Sequence, residues 1–284
     1  MAAGGSVRII LLAFFANLGI AICKFVVALI TGSSAMMAES IHSFADAGNQ
    51  LLLLLGERRA KKEPNERYPL GYGREAYFWA LLVAVILFSL GGLYSLYEGV
   101  HKLQHPTPIT SPGWALGVLI VGMLLEGYSL HAAWVVCRQK RAGRKLIPWA
   151  RTTGDVNLLV VVFEDLAAMF GLVVAFIAVG LTALTGNPMY DALGTCLIGA
   201  LLLVVAVFLA SQVRRLIVGF STGPEIRDDM ARRWEAKGFE VLHLAAIWAG
   251  PERMLVVGKV RPKDPRATDI VSRLEAVDRE IYAA

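Results

Sequence analysis

Charge is scarce in this chain. Asp, Glu, Lys and Arg make up 18% of its 284 residues, against about 25% in a soluble domain. The deficit excludes an ordinary water-exposed surface for much of the chain, and a mean hydropathy of +0.56 points the same way. Cysteine is nearly absent: Cys23, Cys137 and Cys196 are scattered and form no CxxC pair, which argues against a disulfide framework or a thiolate metal cluster. There is no HExxH and no GxSxG, so no enzyme, no catalytic residue and no cofactor is expected. The net charge of +5 could suggest nucleic acid. However, the basic residues sit in two short loops between apolar runs, where membrane topology explains them better, and no nucleic-acid partner is expected. The first apolar run also lacks a small-residue cleavage site, so it is read as a retained helix and not a signal peptide.

What the chain has in abundance is long apolar segments. A helix needs roughly 20 apolar residues to cross about 30 Å of hydrocarbon. Six segments meet that length: Ile9–Ile30, Ala35–Leu55, Tyr77–Tyr97, Trp114–Val136, Asn157–Leu181 and Tyr190–Ala210. The fold class predicted is therefore an α-helical polytopic membrane protein with six transmembrane helices, in contact with lipid. The loop between segments two and three carries Arg58, Arg59, Lys61, Lys62, Arg67 and Arg74. The loop between four and five carries Arg138, Lys140, Arg141, Arg144, Lys145 and Arg151. The alternate loops have no basic residue except Lys102. Positive-inside bias places both termini in the cytoplasm, and the compact length suits a bacterial plasma membrane.

After Arg214 and Arg215 the composition becomes mixed and charged, which divides the chain into a membrane domain, 1–220, and a small cytosolic domain, 221–284. Pro224–Lys237 reads as a helix stopped by Gly238. Glu240–Trp248, with Leu242, Leu244, Ala246 and Trp248 on one face, and Arg253–Arg261 read as strands joined through Gly250-Pro251. Thr268–Tyr282 reads as a second helix with Ile270, Leu274, Val277 and Ile281 on its stripe. The order is α-β-β-α, and about 60 residues make a small core that gains from a partner surface.

The second segment is the least apolar and the most informative. It holds Glu39, His42, Asp46 and Asn49, which on a helix fall within about 80° of one another. An ionised group at mid-bilayer costs about 2.5–3.5 kcal/mol, so several together need a compensating purpose. His42 and Asp46, at i and i+4, offer a nitrogen and an oxygen to a borderline cation such as Zn²⁺. Glu164 and Asp165 in the fifth segment could complete at least three ligands. The plainer alternative is hydrogen bonding between helices, which suits an isolated histidine better than four ionisable groups on two helices. Lys24 can snorkel or pair with an acid, and Glu126 and His131 can be structural or line a cavity.

These residues resemble the cation diffusion facilitator family, whose members export Zn²⁺ and related cations, usually in exchange for protons. The resemblance rests on the run from Ser34 to Asp46, SAMMAESIHSFAD, on Arg67–Glu75, RYPLGYGRE, on Leu125–Leu130, LEGYSL, and on Gly186–Asp191, GNPMYD. It covers nearly the whole chain. It implies a six-helix bundle, a cytosolic ferredoxin-like domain whose final strand this chain lacks, and a homodimer. It also implies proton-coupled efflux by alternating access, with the divalent metal and protons as substrates. The family's metal site uses two residues four apart on helix two and two more, four apart, on helix five. Carried over, His42, Asp46 and Asp165 match. The fourth position is Val161, which cannot bind metal, and Glu164 is the tentative replacement. The family's loop histidines before helix three are Tyr68 and Tyr72 here, so no loop site is expected, and His243 is read as a packed or surface residue. Alternative readings are a non-transporting metal-sensing or partner subunit, and Mn²⁺, Fe²⁺ or Co²⁺ as cargo.

Overall fold

The computed structural model describes residues 3–282, apart from 252, 265 and 267. The first part is a bundle of long helices, α1 (Ala3–Thr31), α2 (Ser34–Ala60), α3 (Glu75–Val83) running through a π turn (Ala84–Phe88) into α4 (Ser89–Gln104), α5 (Pro112–Arg141), the short α6 (Leu146–Ala150), α7 (Val156–Thr185) and α8 (Met189–Val218). The boundaries follow local chemistry. Ser33 caps α2 by accepting from the Met36 N–H at 3.2 Å, which satisfies a donor that the helix itself leaves free. Asp155 does the same for α7 through the Leu158 N–H at 3.2 Å. Pro112 opens α5, and Gly186 closes α7 in the left-handed region, as expected of these residues at helix ends.

Among the described residues, four helical rods are long and apolar enough to cross a membrane: Glu75–Gln104, Pro112–Arg141, Val156–Thr185 and Met189–Val218. Part of the first predicted segment, Ile9–Ile30, lies outside the described side chains, and the apolar stretch within them is Leu18–Thr31. Helix α2 has the length, 27 residues, but polar side chains interrupt its apolar run. The residues that make α2 conspicuous in the sequence are thus also the ones that dilute its membrane signal. Helix α5 is the most peripheral: Leu124 and Tyr128 are 70% and 78% exposed, an apolar surface that water would penalise and lipid would not.

Helices α4 and α8 pack closest. A Cβ on Gly199 would stand 2.7 Å from the Leu96 nitrogen and 2.8 Å from the Gly92 oxygen, and one on Gly99 would meet Cys196 Sγ at 2.5 Å. Small residues let backbones approach where lipid offers no hydrophobic drive to association. Gly199→Leu is therefore expected to lower stability by about 3 kcal/mol, since the obstructing atoms are backbone. Gly180→Leu, whose Cβ would meet nothing within 4 Å, should be neutral. Thermal unfolding of the two variants in detergent compares them directly.

The C-terminal part has the order predicted: α9 (Pro224–Ala236), β1 (Phe239–Gly250), β2 (Arg253–Pro262) and α10 (Ile270–Tyr282). The strands form a two-stranded antiparallel sheet. Phe239 is packed with Trp234 of α9 and Val277 of α10, and Ile270, Leu274 and Ile281 line the same cluster. The predicted face of β1 needs one correction. The register shifts between Val241 and His243, so Leu242 is the extra residue of a β-bulge and stands 40% exposed. The bulge restores Leu244, Ala246 and Trp248 to the side of Phe239 and Val241, because one inserted residue flips the alternation. The outer edge of β1 is held by the segment leaving α8: Thr222 N–H donates to the Ala246 carbonyl at 2.8 Å, and Trp248 N–H to the Phe220 carbonyl at 3.2 Å. Trp248 also packs against the core of the bundle, so this unit marks one end of the bundle, called the near end below.

Candidate metal-binding site

Helix α2 is buried chiefly by α1 and α3, and also packs against α4, α7 and α8. His42 and Asp46 project together, with His42 Nδ1 3.5 Å from Asp46 Oδ1. One turn on, the Asn49 amide donates to Glu164 Oε2 on α7, and the Asp46 and Glu164 carboxyls line one gap. His42, Ala45, Asp46, Asn49, Phe88 and Glu164 together line this narrow gap between the helices, too tight to admit a water molecule. Phe88 closes it from the π turn, its ring centroid 5.9 Å from that of His42. Such a turn widens the helix by one residue and re-aims its side chains, a device common at functional sites.

Asp165 takes a different direction. It accepts from Ser129 Oγ of α5 at 3.1 Å, while Glu164 faces α2. Consecutive residues on a helix point about 100° apart, so the two acids serve different neighbours. Val161, one turn before, is half-buried against the core. Among the described residues, no three His, Cys, Asp or Glu side chains stand close enough to hold a metal ion. His42, Asp46 and Glu164 nevertheless line one narrow gap, while Asp165 lies one helix over, facing Ser129.

A buried ion pair supports this site from behind. Lys24 of α1 donates to Ser43 Oγ at 2.8 Å and lies 3.5 Å from Glu39 Oε2, with side chains 1% and 0% exposed. Two glycines make room for it. A Cβ on Gly171 would be 2.2 Å from Glu39 Oε1, and one on Gly122 would be 3.3 Å from Lys24 Cε. Among the described residues neither Glu39 oxygen has a hydrogen-bond partner, so Lys24 is the compensation nearest to that carboxylate. The sequence marks Lys24 as able to pair with an acid but does not name the acid. Phe88 carries no sequence signal, because an apolar residue is commonplace in such helices, and Ser129 is marked only as part of the LEGYSL run, with no role attached to it. Glu126 is half-buried and His131 is exposed.

At the far end of the bundle the turn between α1 and α2 meets α4, α7 and α8 around Asp191. Asp191 Oδ1 accepts from Ser33 Oγ at 2.7 Å, and Oδ2 accepts from Lys102 Nζ at 2.8 Å and from the Ser34 N–H and Oγ at 3.0 Å each. The Asp191 N–H donates to Thr182 Oγ1 of α7 at 3.1 Å, and Lys102 also reaches the Gly32 carbonyl at 2.8 Å. Lys102, the lone basic residue of the alternate loops, is thereby buried and neutralised.

An apolar bundle with an acid–imidazole constellation between two of its helices defines an integral membrane protein with a polar site inside it. Residues 10–218 match the family model described as the cation efflux transmembrane domain. The chain belongs to this family, the cation diffusion facilitators. It is 36% identical over 204 residues to the human "Proton-coupled zinc antiporter SLC30A9, mitochondrial", covering 71% of this chain and 36% of that protein. It is 33% identical over 218 residues to "Metal tolerance protein C4" of Arabidopsis thaliana, covering 75% and 47%. A Bacillus velezensis "Cadmium, cobalt and zinc/H(+)-K(+) antiporter" is 22% identical over 251 residues, covering 87% and 75%. The match to the human protein thus spans about a third of that relative's length.

Proposed function

We propose that this protein exports a divalent transition metal, Zn²⁺ first among them, in exchange for protons. The observation that carries the proposal is that His42, Asp46 and Glu164 line one gap between α2 and α7, buried within the bundle; a small inward shift of the two helices' side chains is needed for all three to reach one ion. Imidazole and carboxylate together suit a borderline cation, and zinc is content with three protein ligands and a water. In this reading α1 and α2 complete six membrane spans, both termini lie in the cytoplasm, and the αββα unit forms a cytosolic domain of ferredoxin-like kind.

The same groups supply the proton coupling. Carboxylate and imidazole bind metal only when deprotonated, so loading the site releases protons and acid unloads it. Two carboxyls facing one buried gap favour a proton on one of them, because like charges so close cannot both ionise readily, and a metal ion taking its place would expel that proton. Asp165 joins the site by a modest rotation of α7 that exchanges Ser129 for the metal. The metal enters at the near end, where a cleft of about 510 Å³ is lined by Glu57 and Asp155, paired with Lys61 and Lys140, and by Asn157 and Arg253, and leaves at the far end once the bundle rocks. The protein works as a homodimer in which the αββα units contribute contact area.

Purified protein in proteoliposomes tests this with Zn²⁺, Mn²⁺, Fe²⁺ and Co²⁺ under an imposed pH gradient. Zinc flux that is driven by the gradient and collapses with it is expected. Metal binding without flux would favour a sensing or partner subunit.

A further inference from the structure

Two of the five histidines, His101 and His105, stand four residues apart at the far end of α4. The spacing is helical up to the last residue, because the His105 N–H donates to the His101 carbonyl at 2.9 Å. Pro106 and Pro108 follow and prevent the helix from continuing. Imidazoles at i and i+4 project from one face of a helix and can grip one ion between them. Here the ring centroids are 4.9 Å apart and the planes 30° from parallel. Both residues are exposed, and Tyr97 stacks on His101 at 6.1 Å and 21°.

The turn that carries the pair is rigid. Lys102, between the two histidines in sequence, points the other way and is bound to Asp191 and Gly32. The rings are thus held on an ordered turn while facing outward, the condition for a preorganised site. A basic residue near a helix C-terminus is favoured by the dipole, and that would explain one histidine. It does not explain two with near-parallel rings on the same face of a turn where Lys102 already supplies the charge.

We propose that His101 and His105 form a second metal site, binding a borderline divalent ion such as Zn²⁺, Co²⁺, Ni²⁺ or Cu²⁺, with water filling the other positions. Metal–nitrogen bonds of about 2.0–2.1 Å need the two donor nitrogens roughly 3 Å apart, which small rotations of these rings deliver. Imidazole is a preferred ligand of these ions and binds them in its neutral form. The site lies at the opposite end of α4 from Phe88, and it does not depend on the transport reading.

The test uses full-length protein in detergent carrying His42→Ala and Asp46→Ala, so that the buried site is disabled. Cu²⁺ is added at one equivalent and followed by electron paramagnetic resonance, and Zn²⁺ by calorimetric titration. A Cu²⁺ spectrum with two imidazole nitrogens is expected. Either His101→Gln or His105→Gln should weaken Zn²⁺ binding by about tenfold or more, as the second grip on a tethered ligand pair is lost. If the background variant does not fold, the zinc stoichiometry of the unmodified protein is compared with that of the His101→Gln/His105→Gln double variant, with a loss of one equivalent expected. An unchanged affinity or stoichiometry, or a spectrum with a single imidazole, overturns the proposal.

Discussion

Asp46→Ala is expected to abolish metal transport while leaving the protein folded. Asp46 lies 3.5 Å from His42 and lines the same gap as Glu164 of α7, so its carboxylate stands between the two halves of the site. Even residues behind a metal's ligands cost 10–100-fold in affinity or activity when lost, and a ligand itself should cost about a hundredfold or more. Folding should not suffer to match, because the substitution also removes a charge costing about 2.5–3.5 kcal/mol at membrane depth. Zinc flux in proteoliposomes and thermal unfolding in detergent separate the two effects. Flux near the normal rate would sink the assigned site. Flux lost together with the fold would show Asp46 to be a structural group. Glu164→Gln keeps size and hydrogen bonding to Asn49, and it should weaken metal binding and flatten the pH dependence of flux. Since protonation unloads the site, flux from the cytoplasmic side falls as cytoplasmic pH falls, and the variant should show less of that fall.

The second large effect concerns stability. Lys24→Met leaves the Glu39 carboxylate sealed in the bundle, 0% exposed and, among the described residues, with neither oxygen hydrogen-bonded. Removing one member of a buried ion pair costs about 3–5 kcal/mol, mostly for the charge left behind. Adding Glu39→Gln to Lys24→Met removes that charge and should recover much of the loss, with a coupling of about 2 kcal/mol between the two positions. Denaturant unfolding of the two single variants and the double variant in detergent measures the cycle. Additive losses would mean that the two side chains are stabilised separately, against the 3.5 Å contact seen here.

The helices can be read from sequence because the requirement for long apolar runs and for capping residues is local. The rods ending at Gln104, Arg141, Thr185 and Val218 need no tertiary information. The polar residues of α2 stand out for the same reason, being expensive where they are. Which acid faces them is another matter. Glu164 and Asp165 are adjacent, and only the rotation of α7 against α2 and α5 decides that the first meets Asn49 and the second Ser129. That rotation is fixed by packing over the whole helix length. The partner of Lys24 is hidden likewise, since it depends on space left by Gly122 and Gly171 on two other helices. Leu242 reads as a core residue only while alternation is unbroken. A bulge depends on the register with a second strand, which a single strand's pattern does not contain.

The ties around Asp191 have a mechanical consequence. The ends of five helices, α1, α2, α4, α7 and α8, are fastened to one another there. At the level of Asp46 and Glu164, by contrast, the hydrogen bond between α2 and α7 is that of the Asn49 amide to Glu164. Rocking that opens the far end has to loosen these ties, so the hydrogen bonds around Asp191 act as a latch on that end. Helix α8 runs 30 residues from that point, about 45 Å at 1.5 Å per residue, so a tilt of roughly ten degrees there sweeps its other end through about 8 Å. The αββα unit, hydrogen-bonded through Phe220 and Thr222 just beyond α8, rides at the tip of that arm, where small angles become large displacements.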